Sequence, residues 1–393
     1  MLEQPFKEAN FIITTLKQYG FEAYYVGGCV RDYLMDIQIN DIDIATSAPP
    51  EEINKIFKKV IPVGVDHGTV IVRHNHTSYE VTTFKENNNY YVKNSQKSIH
   101  DDLSMRDFTI NSLAMDESGQ IIDLFNGVTD INNQVIKTVG SPNERFTEDP
   151  LRIIRALRFV SQFGFSIEDR ALLTMNNLKS KIAELSIERI TSEMKKFFIG
   201  NYLNYGLNYL LITKVYEELP IFKNNKNLIR FLPNDIKPFN RFSEVISYFH
   251  LIDQHISINQ WIKAWKVSNV VKKETINLVS AVENYKCNDI NVMLLYKLDE
   301  ELINSFVNVV KLYLQTEIKD ETIISQKNAL AISSRKDLSV DGNDITKLFP
   351  HLKQGKWIED LLKEIEEEVL YKRIPNDKNI IKDWIICNRL EIN

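Results

Sequence analysis

Two short stretches, YVGGCVRD at residues 25–32 and DIDIAT at residues 41–46, decide the fold of this chain. The first begins as an apolar strand, passes through two glycines and continues into a predicted helix with Arg31 in its first turn. Glycines let a backbone approach a phosphate closely, and a helix N-terminus favours an anion. In the second stretch, Asp41 and Asp43 stand two residues apart on a predicted strand, so both carboxylates point to one face. Such a face suits Mg²⁺, which often uses one or two carboxylates plus substrate phosphates, and the combination predicts nucleotidyl or phosphoryl transfer.

The composition is that of a globular protein, and the length of 393 residues allows two to four domains. No apolar run reaches the roughly 18 residues of a membrane span. The N-terminus lacks the apolar core of a signal peptide, and three widely separated cysteines without metal-ligand spacing indicate reduced thiols, so we expect a cytoplasmic protein without a membrane partner. The net charge of −5 gives no global attraction to nucleic acid, so any RNA contact needs a local basic surface.

Together, the first two stretches indicate nucleotidyl or phosphoryl transfer more strongly than either does alone. A glycine pair or an Asp-x-Asp by itself is more often a turn or a solvated strand edge. In this order and spacing they resemble the signature of polymerase-β-like nucleotidyltransferases. The longer string, GGCVRD at residues 27–32 followed by DIDIAT, is similar to the tRNA nucleotidyltransferase and poly(A) polymerase family. This resemblance implies that Gly28 and Arg31 hold a nucleoside triphosphate, and that Asp41 and Asp43 are catalytic and hold two Mg²⁺ ions.

Three further segments, at residues 60–63, 69–73 and 79–84, alternate in polarity like strands of one sheet. Glu80 in the last of them is either a third carboxylate beside the Asp pair or a solvated strand residue. Periodicity alone leaves both interpretations open. The polar, Asn-rich segment that follows at residues 85–98 predicts a surface loop.

Another stretch, DLSMRDFTINSLAMD at residues 102–116, is similar to the second signature of the same family. Met105 stands where that signature usually has the first of two arginines, whereas Arg106 and Asp107 match it. The resemblance implies that Arg106 contacts the nucleotide, a role that suits a guanidinium facing sugar and phosphate oxygens. Without the flanking match, a salt bridge from Arg106 to Asp107 or Asp102 would be the simpler interpretation.

The segment ERFTEDPLRIIRALRF at residues 144–159 predicts an amphipathic helix that begins near Asp149 and Pro150. Apolar residues recur every third position on one side. Arginines recur every third position on another, and these are Arg152, Arg155 and Arg158. For an isolated helix the ordinary interpretation would be a solvated basic face. The string EDPLR, however, resembles the family's Glu-Asp-x-x-Arg element, which reads the base of the nucleotide, and the three arginines are then implied to hold the base, sugar and phosphates.

The chemistry of that element follows from its two charged groups. The carboxylate of Asp149 can accept a hydrogen bond from an amino group, and the guanidinium of Arg152 can donate to a ring nitrogen. Cytosine and adenine both present an amino group beside an acceptor nitrogen, whereas uracil and guanine present the reverse pattern. A wrong base would leave protein groups unpaired at roughly 1–3 kcal/mol each. The pair is therefore predicted to accept CTP and ATP.

The resemblance, dense over residues 21–198, implies an α+β fold: a polymerase-β-like nucleotidyltransferase head with a mixed sheet and helices, followed by an all-α neck, body and tail. Beyond about residue 205 only helical periodicity supports it. Our expected boundaries place the head at residues 1–143, the neck with the base-reading helix at 144–204, the body at 205–315 and the tail at 316–393.

Within the family, the chain is most similar to the class II, bacterial-type CCA-adding branch. The implied reaction is template-independent addition of CCA to the 3′ end of tRNA from CTP and ATP, with release of pyrophosphate. The loop at residues 85–98 is shorter than is usual and lacks the family's basic segment, so a CC-adding enzyme is an alternative. A poly(A) polymerase and an inactive RNA-binding scaffold are weaker alternatives, and the intact Asp41 and Asp43 argue against the scaffold. The sequence leaves a homodimer open.

Overall fold

The computed structural model describes residues 4–64, 68–85 and 98–388, and the following statements concern those residues. The chain divides into two compact units, Met1–Pro238 and Phe239–Asn393. The first unit holds the sheet and the stretches that suggested chemistry, and the second is helical. The boundaries expected at residues 143, 204 and 315 stay predictions.

A seven-stranded mixed sheet forms the frame of the first unit, in the order β3-β4-β5-β2-β1-β6-β7. Its strands are β1 (Ala23–Val26), β2 (Asp43–Thr46), β3 (Val60–Gly64), β4 (Thr69–His74), β5 (Thr77–Thr83), β6 (Leu113–Met115) and β7 (Ile121–Asp123). Strands β2 and β5 pair in parallel and the other neighbours pair antiparallel. The three alternating segments predicted as strands are β3, β4 and β5 of this one sheet, and the predicted fold class is confirmed.

The glycine turn after β1 redirects the chain into a short helix. Gly27 has a φ of 72°, a conformation that glycine adopts at little cost. A side chain there would collide with the guanidinium of Arg106, since a Cβ would lie 2.5 Å from one of its nitrogens. The turn therefore requires glycine at position 27 for two reasons, the backbone conformation and the close approach of Arg106.

Ten helices surround this sheet and extend the first unit beyond it. They are α1 (Phe6–Gln18), α2 (Gly28–Leu34), α3 (Pro50–Ile56), α4 (Ile99–Ser104), α5 (Gly127–Asn132), α6 (Pro142–Glu148), α7 (Leu151–Phe163), α8 (Asp169–Leu178), α9 (Ile187–Phe198) and α10 (Leu203–Thr213). Strands β8 (Val135–Ile136) and β9 (Ser166–Ile167) form a separate parallel pair. Helices α7 and α9 pack side by side in the same direction, because contacts near both helix starts and near both helix ends join them.

The second unit consists of nine α-helices within its described residues. They are α11 (Phe242–Ile252), α12 (Ile258–Ala264), α13 (Asn269–Asn288), α14 (Val292–Lys297), α15 (Ile303–Leu314), α16 (Asp320–Asn328), α17 (Gly342–Leu348), α18 (Lys356–Leu370) and α19 (Lys378–Asn388). Trp261 and Trp265 are both buried. No helix in the described part of the chain is long and apolar enough to cross a membrane.

Candidate active site

One cleft in the first unit gathers every residue that the sequence nominated for chemistry. Its volume is about 810 Å³. The nominated residues that line it are Gly28, Arg31, Asp41, Asp43, Arg106, Asp149, Arg152, Arg155 and Arg158. They come from four separate segments of sequence, so their convergence is a result of the fold and not of proximity along the chain.

The acidic side of the cleft is built on neighbouring parallel strands. Strand β2 begins at Asp43, so Asp41 lies just before the strand, whereas the alternation predicted both aspartates within it. The intervening Ile42 and the following Ile44 are buried, as expected. Glu80 of β5 is the register partner of Asp43 and also lines the cleft, which favours the interpretation of Glu80 as a third carboxylate.

Burial and mutual repulsion raise the pKa of Asp43 to about 6, with Glu80 and Asp41 as the repelling charges and Arg106 opposing them. Carboxylates that repel one another in this way are stabilised by a cation. No group of three or more His, Cys, Asp or Glu side chains that could hold a metal ion by itself occurs in the described residues. Asp41 and Asp43 line the cleft with Glu80 on the neighbouring strand, and these carboxylates fit Mg²⁺, which uses few protein carboxylates and completes its coordination with water and substrate phosphates.

Arg31 of α2 is held in place before any ligand binds. One terminal nitrogen donates to Oδ1 of Asn111 at 2.5 Å, and the other donates to Asp32 at 2.7 Å. Its guanidinium lies over the ring of Phe163, 4.6 Å from the centroid. A planar guanidinium fixed by stacking and hydrogen bonds is pre-organised to bind phosphate oxygens.

Arg106 forms the salt bridge that a purely structural interpretation predicted, and its partner is Asp102. A terminal nitrogen of Arg106 lies 2.9 Å from Oδ2 of Asp102, which is buried. The guanidinium also lines the cleft, so the salt bridge is confirmed and the contact with a nucleotide stays a prediction. Met105, at the position of the missing arginine, contributes its backbone carbonyl, which accepts from Arg152 at 3.1 Å.

Asp107 is the centre of a buried network. It accepts from Nε of Arg155 at 2.7 Å and from the amide of Asn111 at 3.0 Å. Burial pushes the pKa of Asp107 upward, but the charge of Arg155 and these hydrogen bonds outweigh it and lower the pKa. Since Asn111 also accepts from Arg31, the network links α2, the second family stretch and α7.

Two of the three α7 arginines, Arg155 and Arg158, are anchored by a carboxylate on α9. Glu193 lies 3.1 Å from a terminal nitrogen of Arg158 and 3.6 Å from one of Arg155. Burial lowers the pKa of Arg158 to about 10 against the opposing effect of Glu193. The three-residue spacing predicted a basic stripe, and the structure shows it partly buried and paired where the ordinary interpretation had it solvated.

The two groups predicted to read the base do not pair with each other. Asp149 accepts from Arg189 of α9 at 2.8 Å, whereas Arg152 donates to Glu148 at 2.9 Å. Arg152 also donates to the carbonyl of Met105. Each group is thus oriented by its own partner, and both line the cleft.

Several residues that line the cleft were not nominated from the sequence as site residues. Among them are Asn111, Gln162, Arg189 and Lys196. Arg189, Glu193 and Lys196 recur at helical spacing on α9. That spacing was the available signal. The predicted loop falls largely on residues 86–97, which lie outside the described residues.

Three family models match this chain. The poly(A) polymerase head domain matches residues 23–137, and a probable RNA- and SrmB-binding site of polymerase A matches residues 164–225. A putative second domain of tRNA nucleotidyltransferases matches residues 243–385. Together they cover most of the chain.

Several named proteins are similar over the full length. A CCA-adding enzyme of Oceanobacillus iheyensis is 45% identical over 400 aligned positions that cover 100% of both chains. One from Bacillus cytotoxicus is 37% identical over 98% of this chain and 99% of its own.

Solved structures give the same picture. A Bacillus stearothermophilus CCA-adding enzyme in complex with CTP shares 32% identity and superposes over 98% of both chains with a TM-score of 0.84. A Thermotoga maritima CCA-adding enzyme complexed with tRNA is 19% identical with a TM-score of 0.62, which supports the fold alone.

Proposed function

The chain belongs to the CCA-adding enzyme family of tRNA nucleotidyltransferases, and we propose that it completes the 3′ end of tRNA by adding C, C and A from CTP and ATP. The observation that carries the proposal is the single cleft, in which paired carboxylates, a glycine turn and a set of oriented arginines converge. We place this reaction in the cytoplasm, where tRNA is the macromolecular partner.

The proposed reaction is an attack by the 3′-hydroxyl of tRNA on the α-phosphate of the nucleotide. A new bond forms between the 3′-oxygen and the α-phosphorus, and the bond from that phosphorus to the bridging oxygen breaks, so pyrophosphate leaves with the electron pair. The proton of the attacking hydroxyl is released to water. Asp41 and Asp43 would hold Mg²⁺, with Glu80 beside them. Mg²⁺ bound there would supply a lowered pKa for the attacking hydroxyl and charge stabilisation for the triphosphate.

The arginines and the glycine turn would position the nucleotide for that attack. Gly28 and Arg31 would hold the triphosphate, and Arg106 the sugar and phosphates. Arg31 and Arg106 are already oriented by Asn111 and Asp102, so little side-chain ordering remains to be done on binding.

Base choice would rest on Asp149 and Arg152. Because Arg189 donates to Asp149 and orients it where it lines the cleft, the carboxylate would be an acceptor for the amino group of cytosine or adenine. Arg152 would donate to the adjacent ring nitrogen. The protein side chains would then take the place of a nucleic-acid template.

The decisive experiment is incorporation of each nucleotide on three tRNAs, which end before CCA, after C and after CC. We expect CTP to extend the first two and ATP to extend the third. Extension by CTP without ATP incorporation on the third tRNA would change the assignment to a CC-adding enzyme. Repeated ATP addition to any RNA end would instead indicate a poly(A) polymerase.

A further inference from the structure

The end of the cleft away from Asp149 contains two polar residues that the proposed reaction has not used. Gln162 lies in the last turn of α7, and Lys196 lies near the end of α9. Both line the cleft. Because α7 and α9 run in the same direction, these positions are brought to the same end of the helix pair.

Contacts along the two helices place Lys196 more closely. Arg189 meets Asp149 at one end of the helix pair, and Glu193 meets Arg158 in the middle. At the other end, the hydroxyl of Ser161 donates to the carbonyl of Phe197 at 2.5 Å. Lys196, next to Phe197, therefore lies at the same end of the helix pair as Gln162, one full helix length away from Asp149.

Arg189 and Lys196, the two cations that α9 contributes to the cleft, differ in their ion pairing. Arg189 is bound by Asp149, and the arginines of α7 are bound by Glu148, Asp107 and Glu193. Lys196 is exposed, and no carboxylate among the described residues is within ion-pair distance of its ammonium. It is a cation with its full hydrogen-bonding capacity available to a ligand.

The length of α7 indicates which part of a nucleotide would reach Lys196. From Arg152, at the base-reading end, to Gln162 is ten residues, or about 15 Å of helix. That is about the reach of an extended nucleoside triphosphate from its base edge to its terminal phosphate. Arg31, the proposed triphosphate ligand, lies over Phe163, the neighbour of Gln162, at this same end.

We propose that Lys196, assisted by Gln162, binds the terminal phosphates of the incoming nucleotide, which become the pyrophosphate product. This inference rests on the proposed function and adds a binding residue to it. Lys196 acts on a part that CTP and ATP share, so it contributes affinity without base preference. The primer's 3′-terminal phosphate is the other phosphate that could reach the cleft, and the measurements below separate the two sources.

The test compares K196A with K195A, since Lys195 is the adjacent lysine on α9 and does not line the cleft. For K196A we expect the KM for CTP and for ATP to rise about tenfold each, the equivalent of one charge-assisted hydrogen bond. The KM for tRNA should stay unchanged, and inhibition by added pyrophosphate should weaken by a similar factor. K196R should recover most of the loss, and K195A should match the unmodified protein.

Calorimetric titration of CTP into the protein without tRNA gives a readout independent of turnover, and K196A should bind about tenfold more weakly. A raised KM for tRNA with unchanged KM for both nucleotides would overturn the inference and assign Lys196 to the primer. Equal effects of K195A and K196A would also overturn it. Failure of the unmodified protein to extend any tRNA would instead overturn the proposed function.

Discussion

Two buried carboxylates, one in the cleft and one in the helical second unit, have pKa values that are shifted in opposite directions. Asp107 is surrounded by a guanidinium and amide donors, and its pKa is lowered. Glu244 of α11 accepts from the neutral amides of Asn240 and Asn308, and burial raises its pKa to about 7. Burial is common to both, so the difference lies in the nearby cation. Asp107 therefore keeps its negative charge, which Arg155 balances. Protonation instead neutralises Glu244 below about pH 7.

The strongest test of this comparison removes one carboxylate from each region. D43A should lower nucleotide addition by at least about a thousandfold, since a metal-binding carboxylate contributes several kcal/mol to such transition states. D41A should behave similarly, and tRNA binding should be largely retained in both. E244Q and E51A, an exposed change on α3, should keep nearly full activity in the same primer-extension assay. Near-normal addition by D41A or D43A would refute the two-carboxylate assignment.

The next test breaks the charge balance at Asp107 itself. D107N should remove the nearer of the two carboxylates beside Arg155, and should lower the free energy of unfolding by about 3 kcal/mol, the low end for a broken buried pair, measured by urea denaturation. The double variant D107N/R155M removes both charges, so part of the stability should return while nucleotide addition stays impaired. If the double variant is no more stable than D107N, the charge of Arg155 is not what Asp107 balances.

A pH series tests the second carboxylate of the comparison, Glu244. Between pH 4.5 and about 7 the folded protein keeps a proton on Glu244 that the unfolded chain has released, so the free energy of unfolding falls as pH rises. The expected fall from Glu244 alone is about 2 kcal/mol between pH 5 and pH 7. E244Q should flatten this part of the curve, whereas E359Q, an exposed change on α18, should follow the unmodified protein. A slope unaffected by E244Q would mean that Glu244 is ionised when folded.

The smallest expected effect concerns base choice. D149A or R152A should reduce the preference for CTP and ATP over UTP and GTP by roughly tenfold, about 1.4 kcal/mol, because a wrong base no longer leaves a protein group unpaired. R170A, an exposed arginine on α8, is the control. Competition between labelled nucleotides measures the ratio directly. A slower reaction with unchanged selectivity would assign the pair to positioning of the nucleotide.

Much of the frame was predictable because its signals are local. Strand alternation in β3 to β5 and the glycines between β1 and α2 act over a few residues, and the structure contains these elements where they were expected. The ends of an element were harder to predict. Asp41 fits the alternating pattern of β2, but it lies before the first residue of that strand that pairs with β5. Pairing depends on the partner strand, which the alternation of one segment does not encode.

The partners of the charged groups were the part that sequence reasoning missed. Arg152 and Asp149 are three residues apart and complementary, yet Asp149 is bound by Arg189, 40 positions away. The Glu80 alternatives were likewise separated only by the parallel register with Asp43. A charged side chain on a helix surface has several partners within reach, and the packing of another element selects one of them.

The sequence by itself determined the family, the mixed sheet, the glycine turn and the chemical types of the site residues, because each depends on residue identity at short spacing. Only the tertiary structure decided that nine such residues share one cleft, that Asp107 stays charged, and that Lys196 lies at the far end of α7. Those properties depend on distances between segments far apart in the chain, and on how much water the packing removes. Both come into existence only when α7, α9 and the sheet are packed together.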